Sequence, residues 1–272
     1  MKVGFIGLGS QGGPMARAIV EAGVDTTLWA RRAASLEPYA DTAAKTADTP
    51  AELAAACDIV CLCVVGDADV TELAEGENGL LAGMAPGGII VIHSTVHPDT
   101  CRRLGEKAAA QGISVVDAPV SGGQPAVEQK QLLVMVGGAE ADVEKCRPVF
   151  ETYGDPIVHL GPLGAGQVTK ILNNLLFSAN LGSALSLLEL GESLGVARDR
   201  MCDVVTRGSA NSKALGSIAM FGGTLDQLAP IAGALLQKDV RLAADLADHA
   251  PAEQGAVFDA ADAALRSMGY PR

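Results

Sequence analysis

Aromatic side chains are scarce in this chain, 3% of 272 residues with a single tryptophan. A core without them must rest on aliphatic and small residues, and 49% apolar residues with 32 glycines supply that material. The composition is that of an α/β enzyme rather than of a disordered or fibrous chain. Positive charge is scarce as well: 20 Lys and Arg stand against 32 Asp and Glu, a net charge of −12. Nucleic acids and anionic membranes need a broad basic footprint, so neither is expected as a partner. Any anionic ligand must then be held by a few local cations and by backbone N–H groups.

Long apolar runs are missing. No window approaches ~18 consecutive apolar residues, so no membrane span is expected. The run after Lys2 is too short for a signal peptide and breaks into glycines. Paired cysteine spacing is missing too. Cys57, Cys61, Cys63, Cys101, Cys146 and Cys202 form no C-x-x-C pattern, which predicts reduced thiols and a cytoplasmic setting. His93, His97, His159 and His249 lack metal-ligand spacing, so no metal site is expected.

What is present is a succession of short apolar runs: "KVGFIG", "DTTLWA", "DIVCLCVV", "GGIIVIHS", "GISVVDAP", "LLVMVGG" and "PIVHLG". Runs of this length between helical stretches predict buried strands of a mostly parallel sheet. In "TPAE", Thr49 reads as a helix cap, with Pro50 in the first turn and Glu52 three residues after the cap. After Gly161 the pattern turns helical, with breaks at "GVARD", "GGTLDQLAP" and "DHAPAE". Strands first and helices afterwards predict two domains, an α/β domain over 1–161 and an all-helical one over 162–272. A long connecting helix is expected over about 165–194.

"VGFIGLGSQGGPM" sets Gly7, Gly9 and Gly12 in G-x-G-x-x-G spacing between a strand and a helix. The first glycine turns the chain, the second admits a pyrophosphate and the third lets helix and strand pack closely, so a dinucleotide is expected over Gly7, Leu8, Gly9, Ser10, Gln11 and Gly12. NAD-specific folds place an acid about 20 residues after the glycines. Here Ala30 stands there, followed by Arg31 and Arg32. A guanidinium suits a 2′-phosphate, which favours NADP, with NAD the other candidate. Val64 and Val65, the last residues of the apolar run "DIVCLCVV", are expected along the cofactor.

Two more clusters follow strand ends. "VVDAPVSGG" puts Ser121, Gly122 and Gly123 at the edge where open α/β sheets bind ligands, either as a cradle for a carboxylate or as a tight turn. "IHSTVHP" puts Ser94 and Thr95 in a similar place, facing the cofactor or capping the next segment. In "GAGQVTKILNN", Lys170 and Asn174 share one helix face a turn apart.

These motifs, in this order and followed by "LLQKDVRLA", resemble the β-hydroxyacid dehydrogenases, the family of 3-hydroxyisobutyrate dehydrogenase and tartronate semialdehyde reductase. The resemblance spans nearly the whole chain. It implies a Rossmann domain joined by a long helix to an all-helical domain that makes homodimer or homotetramer contacts. It assigns catalysis to Lys170 with Asn174 beside it and the substrate carboxylate to Ser121, Gly122 and Gly123. Thr95 would contact the nicotinamide side, Lys238 would lie at the cofactor and substrate end of the cleft, and Arg31 falls on the arginine linked to NADP preference. The implied activity is hydride transfer between NAD(P) and a small 3-hydroxy or 4-hydroxy carboxylic acid. Lys170 would exchange the hydroxyl proton, its pKa lowered by burial and by a cation such as Lys238, and Gly164 and Gly166 would let the backbone approach the cofactor. Relatives that reduce imines commonly replace this lysine with Asp or Tyr, and a non-catalytic dinucleotide-binding module acting through oligomerisation is the third reading.

The chain leaves the family pattern at Gln11, His93, Ala126, Val127, Lys130 and Ser186, and lacks the family's C-terminal tail after "SMGYPR". These departures bear on the substrate rather than the fold. Lys130 reads either as a cation at the pocket mouth or as a solvated lysine.

Overall fold

The structure, a computed structural model, describes residues 1–251 and 254–272. Ala252 and Glu253, the last residues of the "DHAPAE" break, lie outside the described residues. Chain contacts divide the molecule into Met1–Lys170 and Ile171–Arg272.

The first unit runs β1 (Lys2–Ile6), α1 (Gly12–Glu21), β2 (Asp25–Trp29), β3 (Lys45–Thr46), α2 (Pro50–Ala55), β4 (Ile59–Leu62), α3 (Asp67–Glu75), α4 (Leu80–Gly83) and β5 (Ile89–Ile92). It continues with α5 (Pro98–Ala109), β6 (Ser114–Asp117), β7 (Val120–Ser121), α6 (Gly123–Glu128), β8 (Leu132–Gly137), α7 (Glu140–Phe150) and β9 (Gly154–Gly161). The sheet order is β3-β2-β1-β4-β5-β6-β8-β7, with β9 on β8. The first six strands are all parallel in the doubly wound order of dinucleotide-binding folds. β4 and β5 are buried along their whole length, because helices cover both sheet faces. One face packs Phe5, Met15 and Ile19 with Phe150 and Tyr153; the other packs Leu53, Leu62, Val70 and Leu104.

All seven expected runs form strands. The structure adds β3 and β7, two residues each, which are too short to leave a periodic signal. It also reverses the sheet after β6: β8 runs antiparallel to β6 and β7, and β9 runs parallel to β8. At α2 the Thr49 hydroxyl accepts from Glu52 N at 3.1 Å, while the Glu52 carboxylate accepts from Asp48 N at 2.9 Å. The capping box therefore closes one residue earlier than the Thr49-to-Glu52 spacing implies.

β1 lies between β2 and β4, so the chain reverses its winding direction there and opens a crevice at the carboxyl ends of the strands. The glycine loop leaves β1 at that crevice.

The second unit is helical. It takes up α8 (Ala165–Ser193) from Ile171 onward and adds α9 (Arg198–Val205), α10 (Lys213–Met220), α11 (Ala229–Asp248) and α12 (Gly255–Ser267). By length and mean hydropathy α8 would pass for a membrane-crossing helix. Its Ile171, Leu175, Leu181 and Leu188 are instead buried with Leu215, Ile218, Val240 and Leu265, which marks it as a core helix.

Candidate active site

Each of the three N-terminal glycines has a separate steric reason. Gly7 has φ +101, and a Cβ there would strike the Cys63 carbonyl oxygen. A Cβ on Gly12 would run into the carbonyl oxygen of Gly7 and lie 2.9 Å from Cys63 Cβ. Gly9 differs: a Cβ there meets nothing within 4 Å. The space over Gly9 lies beside the amino end of α1, where backbone N–H groups favour phosphate. The residues present thus fit a dinucleotide pyrophosphate.

Beside this loop is a cavity of ≈ 670 Å³, lined among others by Gly9, Ser10, Arg17, Tyr39, Gln124 and Lys130. Lys130 is exposed at φ +54, on the turn after α6. It lines this cavity along α1, whereas Ser121, Gly122 and Gly123 do not. Gln11 is half-buried ahead of α1, and its side chain reaches Met15 Sδ at 3.6 Å.

At the end of β2, Arg31 Nη2 lies 3.2 Å from Asp69 Oδ1 and 3.3 Å from Glu72 Oε2, both on α3. Arg32 is exposed. After β4, the Val64 amide donates to Ser94 Oγ at 2.8 Å, and Val65 is 68% exposed. The loops after β4 and β5 are thereby laced together, with half-buried Thr95 on the second.

That second loop is tied to α8 by Gln167, which is fully buried. Its Oε1 accepts from Val96 N at 3.1 Å and its Nε2 donates to Ser94 O at 2.8 Å. Asp117, also fully buried, ties the end of β6 to the same helix. Oδ1 accepts from Gly164 N at 2.6 Å and Oδ2 from Gln167 N at 2.7 Å. Burial pushes this carboxyl up to about 6, while the two backbone N–H groups pull it back. Lys170 sits three residues beyond Gln167, on the same side of α8.

Gly164 and Gly166, expected to let the backbone approach the cofactor, have a steric part in this docking. A Cβ on Gly166 would strike the Met135 carbonyl oxygen and lie 2.7 Å from Asp117 Oδ2; one on Gly164, at φ +97, would crowd Pro98 and Arg102. These glycines let α8 approach the strand ends.

Ser121 ends β7, and Gly122 (φ +140) and Gly123 (φ +71) lead into α6. Ahead of them, the carbonyl of Ala118 is held by His93. His93 Nδ1 lies 2.6 Å from Ala118 O and must therefore carry the proton, which leaves Nε2 to accept from Tyr153 Oη at 3.1 Å. Burial lowers the His93 pKa to about 4, so the ring is neutral.

In the second unit, Asn174 Nδ2 donates to Asp239 Oδ2 at 2.6 Å. Lys238 Nζ lies 2.9 Å from Asp239 Oδ1, an ion-pair contact without hydrogen-bond geometry. The charge of Lys238 is thus offset by its neighbour.

Comparison with known proteins decides the family. Residues 2–161 match the NAD binding domain of 6-phosphogluconate dehydrogenase, and residues 164–269 match the NAD-binding domain of NADP-dependent 3-hydroxyisobutyrate dehydrogenase. The chain belongs to the β-hydroxyacid dehydrogenase family. As a member it is an NAD(P)-dependent hydroxyacid oxidoreductase. It is 35% identical to 2-(hydroxymethyl)glutarate dehydrogenase of Eubacterium barkeri, over 79% of this chain and 71% of that one. It is 32% identical to 3-hydroxyisobutyrate dehydrogenase of Pseudomonas aeruginosa, over 83% of this chain and 76% of that one. The solved Mycobacterium tuberculosis 3-hydroxyisobutyrate dehydrogenase with L-serine superposes with a TM-score of 0.84 at 26% identity, covering 97% of this chain and 92% of that one.

Asp117, Gln167 and Asp239 are the residues that sequence reasoning passed over, and His93 was weighed there only as a metal ligand and as a departure from the family pattern. The one signal for Asp117 was an acid closing an apolar strand run, and for Gln167 a polar residue just after the glycines of the helix start.

Proposed function

We propose that this family member is an NADP-preferring dehydrogenase or semialdehyde reductase acting on short carboxylic acids with oxygen at C3 or C4, with Lys170 as the general acid and base. The carrying observation is the fixing of the first turns of α8. Gln167 and Asp117 pin that turn to the strand ends beside Thr95, and Lys170 follows one turn later. A lysine meant for the solvent needs no such anchoring.

A bound nicotinamide supplies the hydride acceptor or donor. Lys170 takes the proton from the substrate hydroxyl in oxidation and returns it to the nascent alkoxide in reduction. Asn174, one turn further along α8, orients the lysine or bonds the hydroxyl. Its Nδ2 is already held by Asp239, so the amide arrives with its orientation set. Ser121, Gly122 and Gly123 hold the substrate carboxylate through N–H groups and a hydroxyl, which needs no cation from this acidic chain. Arg31 meets the 2′-phosphate. The names of three relatives support the substrate class: 3-hydroxyisobutyrate, 2-(hydroxymethyl)glutarate and L-serine all carry a hydroxymethyl group next to a carboxylate. The same reading places the protein in the cytoplasm as a homodimer or homotetramer. The free thiols support the first, and exposed Leu172, Leu176, Ile231 and Leu235 of the helical unit support the second.

Two measurements test the reading. Lys170→Ala should keep NADPH binding and lose about 10²-fold or more in turnover. Near wild-type turnover would sink the assignment. A panel of carboxylated and uncharged aldehydes of matched size should show activity confined to the carboxylated member, succinic, methylmalonic or tartronic semialdehyde among them. Equal rates within each pair would refute the carboxylate cradle and return attention to imine reduction.

A further inference from the structure

The end of β2 carries an arginine already in use. A single Arg31 nitrogen, Nη2, is shared between Asp69 at 3.2 Å and Glu72 at 3.3 Å. The two acids stand three residues apart on one face of α3, so the helix presents both to the same guanidinium. Two negative charges therefore surround one positive charge before any ligand arrives. A 2′-phosphate brings up to two more negative charges to that point. To bind it, Arg31 must turn from the carboxylates or bond the phosphate beside them, and either course weakens phosphate affinity.

We propose that Asp69 and Glu72 are specificity-determining residues that restrain Arg31 and so set how strongly the enzyme prefers NADP over NAD. The inference rests on the reading that Arg31 meets the 2′-phosphate, and it adds what opposes that contact. Arg31 is 62% exposed and Glu72 71%, while Asp69 is 28% exposed. The restraint is therefore a solvent-screened one, strongest through Asp69, and its size is that of surface ion pairs rather than buried ones. A chain that only needed 2′-phosphate binding would leave this guanidinium without two acids against it. A chain that keeps both acids holds the two cofactors closer in affinity.

The test uses the intact protein and two fragments, 2′,5′-ADP and 5′-AMP, titrated by calorimetry into wild type, Arg31→Ala and the double variant Asp69→Asn/Glu72→Gln. All three positions are partly or largely exposed, so folding is not at stake. The double variant should bind 2′,5′-ADP about 3- to 10-fold more tightly, the combined size of two surface pairs, and 5′-AMP within about twofold of wild type. The gain should shrink as salt is raised toward about 0.5 M, since screening removes the carboxylate charge from play. A merely structural role for the acids would move both fragments together and without salt dependence. Unchanged or weaker 2′,5′-ADP binding in the double variant, with Arg31→Ala still costly, overturns this inference and leaves the Arg31 reading standing. An Arg31→Ala variant that binds 2′,5′-ADP like wild type overturns both.

Discussion

The two units of this chain hold their polar residues in different ways. In Met1–Lys170, the glycine loop is shaped by backbone: Gly7, Gly9 and Gly12 differ in what a side chain would meet, Gly7 having a positive φ as well, and the strand order brings the loops to one edge. In Ile171–Arg272, an apolar helical core of Leu, Ile and Ala surrounds a buried acid, Asp239, and orientation comes from side chain to side chain. A backbone device tolerates no substitution at its close contacts but is indifferent to most of its neighbours. A side-chain device depends on pairs, and each partner can be replaced separately.

The sharpest test of the backbone device sets two glycines against each other. Gly12→Ala places a methyl group against the Gly7 carbonyl, backbone that cannot yield, and should cost about 3 kcal/mol or more in urea denaturation. Gly9→Ala meets nothing within 4 Å and should leave stability within about 0.5 kcal/mol, yet weaken NADPH binding at least about tenfold by filling the phosphate space. If both variants lose stability equally, the distinction between packing glycine and ligand glycine fails.

A second test asks whether the first unit is as purely backbone-made as this contrast holds. His93 pins Ala118 by a side chain, and burial lowers its pKa from 6.5 to about 4. A group with a depressed folded-state pKa contributes stability that is present above 6.5 and lost as pH falls through about 4. Relative to His93→Asn, wild type should therefore lose up to roughly 3 kcal/mol between those limits. Any cavity left by the substitution is a pH-independent offset, so the slope carries the result. Asp117 titrates in the opposite sense, being raised to about 6, but it is present in both proteins and cancels in the difference. Parallel pH profiles would show that the ring is not buried neutral.

What was legible in the sequence follows the same division. The glycine spacing, the apolar strand runs and the Thr49 cap are local patterns, readable because cause and effect lie within a few residues. Asp117 and Gln167 act on partners 47 and 71 positions away, and Asn174 meets Asp239 across 65 positions. No period or spacing encodes such pairs; only the fold brings them together. The docking role of Gly164 and Gly166 was hidden for the same reason, since glycines that admit a ligand and glycines that admit a neighbouring element look alike until the neighbour is known. Lys130 was legible as a cation but not by location, because the turn after α6 faces the cavity along α1.

The smallest effect tests the side-chain device. Asp239 is 5% exposed and accepts from Asn174 Nδ2 at 2.6 Å while facing Lys238 Nζ at 2.9 Å. Asp239→Ala removes both interactions and leaves a partly buried amide without its acceptor, which should cost about 1–3 kcal/mol. Asp239→Asn keeps an oxygen for Asn174 and removes only the charge opposite Lys238. Lys238 is 27% exposed, so its ion pair is partly screened and worth about 1 kcal/mol or less. The asparagine variant should therefore retain most of the stability that alanine loses. If asparagine costs as much as alanine, the ion pair with Lys238 and not the hydrogen bond to Asn174 holds the helical unit's polar residues. Asn174 would then owe its orientation to its own helix, and the contrast between a unit held by backbone and a unit held by paired side chains would rest on charge rather than on hydrogen bonding.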